Sequence, residues 1–252
     1  MRGALAEIAL AGEFLTRLPL GGMRAYCPER MARAPHWFAL VGLALGGAGA
    51  LVLAGLAQIL PMLVAVVVVL TVLVIVTGAL HEDGLADTLD GLGGGRSPER
   101  ALEIMRDSRI GSYGTLTLGA AAGLQGTALV SQPLAQAMGG LILAHTLSRA
   151  LMTLALTRDP YLRTQGTGSG LTAPLGRAGS IRIGVAVGAA VLIAGTLMPL
   201  GAVLTASSLG LLAAALWRAW VLRRLSGQTG DTLGGIQVVT ATAILLGASA
   251  WT

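Results

Sequence analysis

Between His81 and Gly114 the chain reads HEDGLADTLDGLGGGRSPERALEIMRDSRIGSYG. Seven of its twelve carboxylates lie there: Glu82, Asp83, Asp87, Asp90, Glu99, Glu103 and Asp107. Asp83, Asp87 and Asp90 stand at i, i+4 and i+7, so a helix would project all three from one face. Like charges stacked in this way repel unless a cation sits among them. Hard divalent cations such as Mg2+ take carboxylate oxygens and keep positions free for a phosphate-bearing substrate. Gly84, Gly91, Gly93, Gly94 and Gly95 flank the acids. They allow close backbone approach to a ligand and offer amide donors to phosphate oxygens. The competing reading is a solvated helix at the membrane edge, paired with arginines. It leaves unexplained the glycines, each costing roughly 1 kcal/mol against Ala in a helix interior.

Other residues have weaker claims. Arg106 and Arg109 flank Asp107 just before an apolar run, and arginines match phosphate oxygens with paired donors. Asp107 either completes a metal site or holds an arginine. An ordinary positively charged membrane flank would look similar. Arg163 lies in RDPYLRTQGTGSG, which also reads as a flexible linker. Asp231 lies between glycines in SGQTGDTLGG, as a further carboxylate or part of a phosphate-binding turn. His145 and Arg149 are one turn apart within an apolar run. Inside a membrane, such a pair is either functional or a packing hydrogen bond. His81 directly precedes the acids, as a ligand or general base.

Membrane helices must position these groups. The chain is 54% hydrophobic and 12% charged, where soluble domains carry about 25% charged residues. Apolar runs occupy 37–58, 60–80, 113–131, 138–157, 183–200, 202–222 and, more weakly, 236–251. Most approach the ~20 residues that cross a bilayer. The expected fold is a single-domain, all-α, polytopic bundle over 1–252, with about six to seven transmembrane helices. The first residues, ALAEIALAGEFLTRLPL, predict an amphipathic or re-entrant helix ending before Pro19. No cleavable signal is expected, because Glu7 and Glu13 interrupt the opening segment. Cys27 is the lone cysteine, which excludes an intrachain disulfide.

All the basic residues are arginines, 17 in number. They avoid the connections near 59–61, 131–137 and 199–207 and gather in the N-terminal segment and at 81–111, 158–182 and 223–235. That alternation puts the arginine-bearing loops, and the acidic stretch with them, on the cytoplasmic side. It also accounts for the net charge of +5 without nucleic acid.

HEDGLADTLDGLGGG followed by ALEIMRDSRIGSYG resembles the cobalamin synthase family, the adenosylcobinamide-GDP ribazoletransferases. FLTRLPL at 14–20, PHWFALVG at 35–42, LSRA at 147–150, PYLR at 160–163 and TGDTLGG at 229–235 are similar to family blocks in the same order. Arg106 departs from the lysine expected in many members. The resemblance implies a Mg2+-dependent enzyme of the cell inner membrane that completes the cobalamin nucleotide loop. The alcohol of α-ribazole, or its 5′-phosphate, attacks the pyrophosphate of adenosylcobinamide-GDP and GMP leaves.

The residues suit that chemistry. The expected metal ligands are Glu82, Asp83, Asp87 and Asp90. The expected phosphate-binding residues are Arg17, Arg106, Arg109, Arg149, Arg163 and Asp231. A carboxylate, with Asp107 among the candidates, or His81 would accept the alcohol proton. The implied partners are these two substrates and the lipid bilayer, without nucleic acid; homo-oligomerisation is left open. Two other readings compete: a CDP-alcohol-type phospholipid phosphotransferase, and an ion-coupled transporter with ionisable residues in mid-span.

Overall fold

The computed structural model describes residues 3–163, 170–171 and 173–251, so the 164–169 part of the Gly/Ser/Thr run lies outside the described residues. Every named element among them is helical. In order they are α1 (Gly3–Leu15), α2 (Pro28–Arg33), α3 (Phe38–Leu56), α4 (Met62–Thr77), α5 (Leu80–Gly94), α6 (Pro98–Ile104), α7 (Ser112–Val130), α8 (Leu134–Arg158), α9 (Gly176–Leu197), α10 (Leu200–Leu225) and α11 (Gly230–Ser249).

Five helical segments are long and apolar enough to cross a membrane: Pro28–Leu56, Leu134–Arg158, Gly176–Leu197, Leu200–Leu225 and Gly230–Ser249. The bent pair Met62–Thr77 and Leu80–Gly94 brings the total to six. The expected six to seven spans include 113–131. The corresponding helix α7 falls outside the set, diluted by its Gly, Thr and Gln residues. The C-terminal run is a full helix of 20 residues, α11.

Burial separates the centre of the bundle from its outer rim. The most apolar window of α8 is 83% buried, against 22% for α9. Accordingly α8 packs on α3, α9 and α11. Leu63, Val67, Val185, Leu192, Leu204 and Leu216 are exposed on the outside of the bundle.

Helix α1 is too short to span and ends before Pro19, as expected. Glu7 ties it down. That carboxylate accepts from Arg33 Nε at 2.7 Å, Trp37 Nε1 at 3.1 Å and Arg182 at 3.3 Å. Arg182 also lies 4.4 Å over the Trp37 ring. Burial alone would push the Glu7 carboxyl up. The hydrogen bonds from Arg33 and Trp37 outweigh it and hold the group below its ordinary value.

An elbow sets the direction of the acidic helix. Gly78 and Ala79 are consecutive left-handed residues, with φ of 64° and 56°. For the alanine this conformation costs roughly 1–2 kcal/mol. The chain turns 86° between α4 and α5. The acidic helix is therefore not a straight continuation of the crossing; it packs against α6, α7 and α11. At its far end Arg224 donates to the carbonyls of Leu92 and Gly95.

Candidate active site

The inner face of α5 buries Leu85, Ala86, Thr88 and Leu92. Leu85 and Leu92 belong to a core cluster with Trp217, Leu233 and Ile236. That packing turns Asp83 and Asp87 outward. Gly84 is required where α5 meets α11: a Cβ there would stand 2.8 Å from the Asp231 carbonyl oxygen and 2.9 Å from its Cα. The contact brings Asp231, in the first turn of α11, to the acidic face. Thr229 and Thr232 form a reciprocal cap on that helix. The positive end of the helix favours the Asp231 carboxylate.

Asp231 accepts a 2.6 Å bond from Arg163, with side chains 16% and 23% exposed respectively. Arg163 Nε is buried and has no partner among the described residues. Asp83, Asp231, Arg163 and Tyr161 line one cavity of about 220 Å3, together with Gly84, Gly230 and Gly234. Asp87 feels Asp83, Asp231 and Asp90 as like charges and Arg163 as the opposing one. Burial pushes the Tyr161 hydroxyl above its ordinary value, so it stays protonated. Two carboxylates from α5, one from α11 and the Arg163 guanidinium thus share one neighbourhood.

Most of the other expected site residues lie elsewhere. Asp90 shares the face of Asp83 and Asp87, but both its oxygens are engaged. They accept from the backbone N–H groups of Gly111 at 2.7 Å and Gly114 at 2.9 Å. Asp90 thereby caps α7 and joins the DSRIGSYG block to the acidic helix. Glu82 turns inward, to a second cavity of about 280 Å3 that also contains His145 and Gln237. Its Oε2 has no hydrogen-bond partner among the described residues. Arg149, 1% exposed, is the cation that Glu82 senses, and it bonds His145 Nδ1 at 3.0 Å. The pair expected from the spacing of His145 and Arg149 is therefore present, in the interior of the bundle. His81 borders the first cavity, yet it is 2% exposed and its Nε2 is enclosed without a partner among the described residues.

Arg109 makes a two-pronged contact with Asp107, 2.6 Å at the closer prong, in an exposed loop. The hydrogen bonds from Arg109 hold the Asp107 carboxyl down to about 2. Arg106 is exposed in the same loop. Arg17 lies over the elbow, its guanidinium filling the space that a side chain at Gly78 would need. Among the described residues no three His, Cys, Asp or Glu side chains gather as a metal-ligand group. The four carboxylates expected as ligands thus divide between three environments.

Sequence reasoning did not single out Tyr161, Phe14 or Phe38, all of which line the first cavity. Tyr161 stands two residues before Arg163, and that adjacency was the available signal. Phe14 opens FLTRLPL and Phe38 lies in PHWFALVG, and their place in those blocks was the signal there.

The cobalamin-5-phosphate synthase model matches residues 7–249. A relative from Bradyrhizobium diazoefficiens is 39% identical over 257 residues, covering 100% of this chain and 96% of its own length. One from Leptothrix cholodnii is 40% identical, covering 94% and 92%. One from Vibrio cholerae is 37% identical, covering 98% and 94%. All three carry the name adenosylcobinamide-GDP ribazoletransferase. No solved structure matches the chain. The acidic helix, its arginine partner and full-length similarity agree: the chain belongs to the cobalamin-5-phosphate synthase family.

Proposed function

We propose that this chain is an integral-membrane ribazoletransferase acting on adenosylcobinamide-GDP and α-ribazole or its 5′-phosphate. The acceptor hydroxyl oxygen bonds to the phosphorus on the cobinamide side of the pyrophosphate. The bond to GMP breaks, GMP leaves, and the hydroxyl proton passes to a carboxylate. The observation that carries this reading is the meeting of Asp83 and Asp231 with Arg163 on one cavity wall, with Asp87 close enough to feel their charges.

Attack on a pyrophosphate requires charge cancellation and an alcohol held in line. Arg163 supports the first, because its guanidinium lines the cavity. Asp231 orients that guanidinium. The backbone at Gly230, in the first turn of α11, suits phosphate oxygens. A carboxylate of the cluster is the better base, since His81 Nε2 is enclosed.

The donor set fits Mg2+, which commonly binds one or two carboxylates and completes its shell with water and substrate phosphates. Asp83 and Asp87, one turn apart on α5, would hold it. Glu82 faces the other cavity, and the oxygens of Asp90 already accept backbone hydrogen bonds. Bound there, the ion would neutralise charge developing on the departing GMP.

We assign the active end to the cytoplasmic face of the inner membrane. Arg96, Arg100, Arg106, Arg109, Arg158, Arg223 and Arg224 cluster in sequence around the elements that build it, as the positive-inside bias expects. The test is purified protein in detergent with adenosylcobinamide-GDP, α-ribazole and Mg2+, followed by assay of GMP. GMP release should need both the acceptor and Mg2+, and EDTA should stop it. Absence of acceptor-dependent GMP would refute the proposal, and undiminished release in EDTA would remove the metal.

A further inference from the structure

The cavity beside Asp83 has two unlike walls. One carries Asp83, Asp231 and Arg163. The other is built from Phe14 of α1, Phe38 of α3, Met152 and Leu156 of α8, Leu233 of α11 and Leu171. Phe14 and Phe38 stack there with centroids 5.6 Å apart and planes 9° from parallel. A site that handled only phosphates and a cation would have no use for such a wall. Apolar surface next to a charged rim selects a ligand with a flat apolar part and a polar part.

Size excludes the corrin ring, and a wall of Phe, Leu and Met side chains, which offers no partners to the polar edges of guanine, favours the acceptor's base over that of the GDP group. Ligand clefts span about 300–1,000 Å3, and this one holds about 220 Å3. It has room for one small ring system and none for a corrin macrocycle. We infer that the apolar wall seats the aromatic base of the acceptor nucleoside, with its ribose hydroxyl turned toward Asp83. This rests on the function proposed above and adds the acceptor subsite.

The arrangement gives α1 a purpose. That helix does not cross the membrane, yet it contributes Phe14, and Glu7 anchors it to Arg33, Trp37 and Arg182. Binding energy from the base would hold the hydroxyl in line with the phosphorus.

Two acceptors test this: α-ribazole and methyl ribofuranoside, which offers the same hydroxyl without the aromatic base. Phe14→Ala should raise KM for α-ribazole about tenfold, the loss of roughly one aromatic contact. KM for adenosylcobinamide-GDP and kcat/KM for methyl ribofuranoside should stay within about twofold. Leu171→Phe fills the cavity without removing an aromatic wall, and it should show the same selective loss. In the unaltered protein, 5,6-dimethylbenzimidazole should compete with α-ribazole and not with the GDP-activated donor. Equal losses with both acceptors would overturn the assignment, as would a rise confined to the donor KM or failure of the free base to compete. If the unaltered protein releases no GMP with α-ribazole, the proposed function falls and this inference with it.

Discussion

Gly84→Ala tests the contact on which the site depends, because two rules predict opposite signs for it. Gly84 lies inside α5, where replacement by Ala normally stabilises a helix by up to about 1 kcal/mol. Here the new Cβ would stand 2.8 Å from the Asp231 carbonyl oxygen, while ordinary contact begins at 3.4 Å. The deficit is 3.4 − 2.8, or 0.6 Å. The obstructing atoms are backbone, so no side chain can rotate away. Helices α5 and α11 must separate by about that amount. Overpacking of this kind costs about 1–3 kcal/mol, more than the propensity gain. The same shift moves Asp83 and Asp87 relative to Asp231 and Arg163. Misplacement by about 1 Å can cost 10²-fold in rate, so 0.6 Å should lower kcat by roughly tenfold or more. Gly119→Ala is the control, since nothing lies within 4 Å of a Cβ there. It should leave kcat unchanged and Tm equal or slightly higher. GMP release and thermal unfolding in detergent measure both effects. A Gly84→Ala protein with unaltered kcat and equal or higher Tm would refute the close-packing argument.

Asp83→Asn should reduce turnover at least 10²-fold with little change in Tm, because Asp83 is exposed on the cavity wall. Asp90→Ala should instead lower stability by about 1–2 kcal/mol, the usual worth of a helix cap, with Asp90→Asn intermediate; chemical denaturation of both variants checks this. Arg163→Ala should depress kcat/KM by about 10²-fold or more, and Arg109→Ala by much less, because the latter guanidinium is 87% exposed and committed to Asp107; steady-state kinetics with the GDP-activated donor separates them. Glu7 supplies a pH test: its folded value is depressed below 4.5, so its contribution is present above that value and vanishes as pH falls through the folded one. The Tm difference between the parent and Glu7→Gln should therefore be constant near neutrality and shrink as pH falls below 4.5 and through the depressed folded value.

Much of this protein was legible in the chain. Apolar runs longer than a soluble helix needs fixed the all-α membrane class, because only internally bonded backbone survives in hydrocarbon. The i, i+4, i+7 spacing placed Asp83, Asp87 and Asp90 on one helix face, since that follows from 3.6 residues per turn. His145 and Arg149 paired for the same local reason. What spacing could not provide was the partner that each side chain meets. Asp90 shares the face of Asp83, yet α7 begins beside it and engages its oxygens. Glu82 is Asp83's neighbour in sequence, but one residue rotates a helix by about 100°, and it faces Arg149 inside the bundle. Asp231 joins the acids across more than a hundred residues only because Gly84 lets two backbones touch. The sequence sets which groups share a helix face, through local geometry; the packing of distant helices sets which faces meet, and only the tertiary structure could decide that.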